Sequence, residues 1–148
     1  MKTTRQAPSH KKEQPPMLRY LNATLLVLLP TLAYAGGDIR SNGTLVGRVE
    51  SNGDIRIKGS IVGRFESNGD IRISGSIGGS IESNGDIRKG GSIVGRVESN
   101  GDVRVKGTIK GRIESGGSVR KEGSIIGSAS GIPATQAAAL FFFDFVEF

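Results

Sequence analysis

The sequence predicts an all-β fold: six hairpin repeats of equal length closed into a flower-like ring, followed by a short apolar C-terminal helix. Three observations carry this. Asn52-Gly53-Asp54, Asn68-Gly69-Asp70, Asn84-Gly85-Asp86 and Asn100-Gly101-Asp102 recur at one fixed spacing, and the register extends back to Gly36-Gly37-Asp38 and forward to Gly116-Gly117-Ser118. Six units with the sixteen-position consensus N-G-D-I-R-x-x-G-S-I-x-G-R-V-E-S therefore fill residues 36–131, the signature of a repeat architecture. Glycine holds unit positions 2, 8 and 12 in all six copies, 18 of the 23 glycines in the chain, and no helix runs through that much glycine. Positions 4, 10 and 14 are apolar in every unit and mostly β-branched. Their even spacing suits pleated strands.

Ahead of the repeat, residues 17–35 run MLRYLNATLLVLLPTLAYA. Arg19 supplies a positive start, Leu21 to Leu32 a mostly apolar stretch, and Ala33-Tyr34-Ala35 a small-x-small cleavage site. This is the pattern of a secretory signal peptide, since a membrane span needs roughly 20 apolar residues. Retention as an anchor is the alternative, weakened by Asn22 and Pro30. Residues 1–16 are either an extended leader or precede a true start at Met17. No Cys follows the apolar stretch, which excludes lipoprotein attachment. An exported chain without cysteine fits a bacterial periplasm or exterior better than a disulfide-reliant secreted domain.

Within the repeat, E-S-N-G-D separates position 14 of one unit from position 4 of the next. A three-residue S-N-G loop with Gly in the left-handed conformation sets 14 opposite 4 and Glu 15 opposite Asp 3. The residues x-x-G at positions 6–8 are expected to make the same kind of loop and to set 4 opposite 10, aligning apolar with apolar. Glycine 12, mid-strand, marks a bend or a close backbone approach. A closed ring of such hairpins removes sheet edges. The rival is a β-solenoid, which stacks Arg40, Arg56, Arg72, Arg88, Arg104 and Arg120 in one ladder about 4.8 Å apart. Like charges in every rung disfavour it. In the hairpin ring, Asp 3 lies beside Arg 5 and Arg 13 beside Glu 15.

The run GRVESNGDIR (residues 47–56), its regular recurrence, and the tail Ala137-Ala138-Ala139-Leu140-Phe141-Phe142-Phe143 resemble the five-fold beta-flower proteins, small exported bacterial β-repeat proteins. The resemblance spans residues 36–148 and implies a ring of β petals with a C-terminal apolar segment; it implies no activity. The chain departs from that pattern in having six units.

Residues 132–148, IPATQAAALFFFDFVEF, break the repeat. Pro133 or Thr135 opens a helix supported by Gln136 to Leu140. As a helix, Thr135 to Phe148 spans about 21 Å, with Asp144 and Glu147 on one face. Three roles fit: a hydrophobic plug on the ring, an interface for oligomerisation or a membrane surface through Phe141, Phe142, Phe143, Phe145 and Phe148, or an outer-membrane insertion signal. The last needs long amphipathic strands that these glycine-punctuated units lack.

Chemistry is sparsely represented. After Ala35 the chain contains no Cys, His, Tyr, Trp or Met. That removes thiol and imidazole nucleophiles, His-ligated zinc, haem and iron–sulfur sites. Lys2, Arg5, Lys11, Lys12 and Arg19 against Glu13 place +4 of the net charge of +6 before Gly36 and leave +2 for the rest. Without aromatics among the arginines, nucleic acid is not an expected partner. The pairs Glu50 and Asp54, Glu66 and Asp70, Glu82 and Asp86, and Glu98 and Asp102 are candidate Ca²⁺ ligands by their oxygen chemistry. Turn formation and charge pairing account for the same residues. Near-identical copies argue against a catalytic carboxylate pair, which needs two different environments. The Arg rows at positions 5 and 13 suit anions such as phosphate or an anionic glycan.

The expectation is thus a signal peptide over 1–35, a repeat domain over 36–131 and an apolar tail over 132–148, forming an exported, non-enzymatic structural or interaction module without a cofactor. Further copies of the chain, or a membrane surface met by the tail, are the expected partners. The alternative is a ligand-binding module for Ca²⁺ or anionic glycan. N-terminal sequencing of the exported product should begin Gly36-Gly37-Asp38; a membrane-bound product retaining Leu21–Leu32 would overturn the secreted assignment.

Overall fold

A computed structural model describes residues 36–148. The leader and its cleavage site lie outside the described residues. Each unit forms one hairpin: β1 (Gly37–Ser41) and β2 (Thr44–Val49); β3 (Asp54–Ile57) and β4 (Ser60–Phe65); β5 (Asp70–Ile73) and β6 (Ser76–Ile81). The series continues with β7 (Asp86–Lys89) and β8 (Ser92–Val97), β9 (Asp102–Val105) and β10 (Thr108–Ile113), and β11 (Ser118–Lys121) and β12 (Ser124–Ala129). Every strand is antiparallel to its chain neighbours, and β12 pairs with β1, so the sheet closes into a twelve-stranded barrel. The ring is therefore closed, and the solenoid is excluded.

The turns between units match their sequence. Gly53 N–H donates to Glu50 O (2.9 Å) and Glu50 N–H to Asp54 O (2.8 Å), enclosing Ser51-Asn52-Gly53. Val49 then stands opposite Ile55, position 14 against 4. Gly53, Gly69, Gly85 and Gly101 have φ of 90–96°, a region that glycine alone enters freely. A Cβ on Gly69 would also strike Ile81 O.

The turns within units differ from expectation. Positions 7 and 8 alone form the loop, both with positive φ, as in Lys58 (49°) and Gly59 (85°). This is the two-residue type I′ hairpin, whose twist matches the strands. Ser60 faces Ile57, Ile61 faces Arg56, and Gly63 faces Ile55, which leaves Val62 as a bulge. Position 4 is thus opposite 12, not 10. The bulge at position 11 reverses the alternation. As a result, Leu45, Ile61, Ile77, Ile93, Ile109 and Ile125 point outward and are 47–57 % exposed.

The interior is lined by positions 4 and 14. Ile39, Ile55, Ile71, Ile87, Val103 and Val119 are fully buried, as are Val49 and Ala129. The remaining lumen is filled by the tail. Helix α1 (Ala134–Phe142) starts after Pro133 and buries Ala137, Ala138 and Ala139 completely. It stops at Phe142, so Asp144 and Glu147 do not share a helical face as expected; Asp144 has φ of 49° and turns the chain. Phe141, Phe142, Phe143 and Phe145 are buried inside the barrel.

Glycine 12 explains how they fit. A Cβ on Gly127 would lie 2.7 Å from Phe141 Cε1, on Gly111 2.6 Å from Phe142 Cζ, on Gly95 2.5 Å from Phe143 Cε1, and on Gly79 2.7 Å from Phe145 Cε1. Four units each hold one ring over a bare glycine. In the other two, the Cδ1 atoms of Ile57 and Ile73 cover Gly47 and Gly63. Lys89 clasps the tail by donating from Nζ to Phe143 O (2.8 Å) and Asp144 O (2.7 Å).

Two glycines separate conformational from packing demands. Gly59→Ala meets only the left-handed φ, since no atom lies within 4 Å of its Cβ, and should cost about 1–2 kcal/mol. Gly95→Ala strikes both Arg104 O and the Phe143 ring, and overpacking of this kind should cost about 3 kcal/mol or more. Denaturant melts of the two variants check the order.

Candidate functional site

Because the lumen is filled and the sheet has no free edge, the groups available for binding lie on the outer wall and at the two mouths. The wall is patterned by charge. Position 5 arginines donate from Nε to the Glu at position 15 of the preceding unit: Arg56 to Glu50 and Arg72 to Glu66, both at 2.6 Å, with Arg88, Arg104 and Arg120 repeating the pair toward Glu82, Glu98 and Glu114. Position 13 arginines donate to the Asp directly across their own hairpin: Arg64 to Asp54 (2.6 Å), Arg96 to Asp86 (2.5 Å) and Arg112 to Asp102 (2.8 Å). The ion pairs therefore run across strands rather than along them.

All four E-S-N-G-D candidate pairs thus have protein partners. Asp54 accepts from Arg64 at Oδ1 and from Asn52 Nδ2 at Oδ2 (3.0 Å), and its own N–H donates to Asn52 Oδ1 (3.0 Å). Asp86 and Asp102 repeat this with Asn84 and Asn100. Asp70 keeps the contact with Asn68 but faces Ser80 in place of an arginine. Glu50, Glu66, Glu82 and Glu98 are turned to guanidiniums. Among the described residues no three acidic or metal-ligating side chains converge.

The hydrogen bond from Arg64, joined by that from Asn52, holds Asp54 below the ordinary Asp value of 3.8. Arg96 does the same for Asp86 and Arg112 for Asp102. In return, the carboxylates raise the pKa of these arginines.

Pairing the strands has a second consequence. Position 13 of one unit stands directly opposite position 5 of the next: Arg48 opposite Arg56, Arg64 opposite Arg72, Arg96 opposite Arg104, and Arg112 opposite Arg120. Serine replaces one partner in the pairs Ser80–Arg88 and Ser128–Arg40. Like charges side by side are unfavourable in a sheet, and here each pair is compensated only by carboxylates drawn from either flank. Beside three of the pairs run outward grooves of 310, 460 and 430 Å³, each bounded by an exposed position 10 side chain, Leu45, Ile109 or Ile61. The Arg pairing follows from the same S-N-G register that sets position 14 opposite 4, whereas the outward position 10 and the pairing of Asp 3 with Arg 13 depend on the bulge, which spacing alone did not reveal.

The phenylalanines expected at an interface lie elsewhere. Four are inside the chain's own barrel; Phe148 is half-buried at the mouth, its ring 5.0 Å from that of Phe141. Beside it, a 670 Å³ hollow is rimmed by Asn42, Lys121, Asp144 and Glu147. Among the described residues no helix is long and apolar enough to cross a membrane. No family model, curated protein or solved structure matches the chain.

The depressed Asp values set a pH window. A carboxylate whose folded pKa lies below its unfolded value contributes stability that is present above the unfolded value and lost as pH falls through the folded one. The melting temperature should therefore hold from neutral pH down toward 4 and then fall as the pH drops below 3.8. A melting series from pH 7 to pH 2 checks this, and R64S/R96S/R112S should flatten the acid limb.

Proposed function

We propose that the chain is an exported, non-enzymatic interaction module that assembles with further copies of itself, side by side, through its outer wall. Kinship with the five-fold beta-flower proteins, as a six-unit variant, belongs to the same proposal. The observation that carries it is position 10. In all six units it is Leu or Ile and about half exposed, although the interior is complete without it. Neighbouring position 11 drifts through Val, Gly, Lys and Ile, so a shared origin of the repeats does not by itself account for uniformity at position 10. An aliphatic belt around a closed wall is surface that a partner can cover. The cross-strand Arg–carboxylate pairs beside it present both signs of charge, which lets one wall meet another. Single faces are small, so each contact is weak and assembly draws on several at once. The tail contributes through Val146 and Phe148 alone, since its other rings are used inside.

A second reading, a ligand-binding module for anions, is favoured by the Arg pairs. The Ca²⁺ form of that reading has less support, because the carboxylates already have guanidinium and amide partners.

Sedimentation of residues 36–148 over a concentration series tests the assembly. Association should rise with concentration and be lost in I61T/I77T/I93T, which keeps β-branched residues in the strands. Identical sedimentation of the two proteins would overturn it.

A further inference from the structure

We infer that the grooves beside Arg48–Arg56, Arg64–Arg72 and Arg112–Arg120 bind the carboxylate or sulfate groups of a linear acidic polysaccharide. This rests on the outer wall being the working surface, not on self-association.

The first support is donor geometry. Within each pair the position 5 guanidinium is committed: Arg72 donates from Nε to Glu66 and from Nη1 to Gly75 O (3.3 Å). Its neighbour Arg64 uses only Nε, toward Asp54, and its Nη groups make no hydrogen bond among the described residues. Arg112 is held in the same way through Asp102, and Arg48 donates to no protein acceptor among the described residues. Arg64 and Arg112 are also the more open members, 48 % and 49 % exposed against 39 % and 40 % for Arg72 and Arg120. Asp54 and Asp102 thus act as second partners that fix a fork and leave its outer edge for a ligand. A planar or tetrahedral oxyanion fits such a fork through two N–H groups.

The second support is repetition. Two of the grooves, at Arg48–Arg56 and Arg64–Arg72, lie at successive unit junctions, two strands or about 9.6 Å apart around the wall; the third, at Arg112–Arg120 between β10 and β11, lies on the far side of the ring. They are open and bounded on one side by Leu45, Ile61 or Ile109. The four charges around Arg64–Arg72, two arginines against Asp54 and Glu66, sum to zero. Long-range attraction is therefore weak, and a single small anion gains little. A chain of anions spaced along a flexible backbone gains by occupying several forks at once. Among the described residues the wall presents no aromatic platform for stacking bases, which sets nucleic acid apart.

The chain itself shows that position 13 tolerates serine, since Ser80 and Ser128 occupy it in two units. The test compares residues 36–148 with R48S/R64S/R112S, with R48K/R64K/R112K, and with the charge-matched K58S/K106S/K110S. Lys58 and Lys110 line two of the same grooves, so the last variant removes nearby positive charge without removing a fork. The probes are immobilised dextran sulfate and polygalacturonate, with uncharged dextran as reference, and melting temperature reports folding. Wild type should bind both polyanions and not dextran. The R48S/R64S/R112S variant should bind about tenfold or more weakly, the arginine-to-lysine variant nearly as weakly, and the K58S/K106S/K110S variant within about threefold of wild type. Absence of binding by folded wild type overturns the inference. So does equal loss in the two serine variants, or full recovery with lysine, because either result reports net charge and not a fork. A protein that self-associates but ignores both polyanions would refute the grooves while leaving the assembly standing.

Discussion

Filling the lumen is the constraint on which the structure depends. Side chains from the wall suffice to fill a barrel of about eight strands, and twelve strands enclose more. One ring of Ile or Val at position 4 and a second apolar ring at position 14 leave the axis open, and an empty axis would forfeit the contacts that hold a small domain together. The chain meets the constraint with its own end. Ala137, Ala138 and Ala139 let a helix enter closely, and the phenylalanines that follow reach the wall where glycine 12 has removed the side chain. Wall and plug are complementary parts of a single core.

One helix cannot satisfy six equivalent sockets, and the way this mismatch is resolved is written at position 6. That position faces the glycine 12 of the preceding unit and reads Ser41, Ile57, Ile73, Lys89, Val105 and Lys121. Where it is Ile, the Ile fills the socket itself; where it is Ser, Val or Lys, a tail phenylalanine does. Lys89 and Lys121 place Nζ 5.1 Å from the Phe145 ring and 5.9 Å from the Phe142 ring, close enough for a cation–π attraction. This variation fixes the rotational position of the plug in an otherwise six-fold wall. In the sequence, position 6 is only a variable x, because its meaning depends on a partner far along the chain, as Phe143 is from Lys89.

Local rules were legible and parity was not. The repeat period, the S-N-G turns and the alignment of position 14 with 4 follow from glycine register and hairpin geometry, and the structure has them. The x-x-G turn fits either a three-residue loop or a type I′ turn plus a bulge. The two differ by one residue of register, and that single step carries position 10 from core to surface. The candidate surface was hidden in part by the same step: the Arg rows and their side-by-side register follow from the S-N-G turns, but the exposed position 10 side chains that bound the grooves arise from the bulge. The plug role of the tail was one of three that its composition allowed, and only the match between ring and glycine selects among them.

Native-state hydrogen exchange tests the union of wall and plug most directly, because it reads the opening free energy of each segment separately. If they form one core, the amides of Ala138 to Leu140 should exchange only through global unfolding, with the same free energy as those of Ile55 and Ile71 in the wall. A markedly lower free energy for the helix, with the wall still protected, would mean that the barrel stands without its plug and would contradict the account.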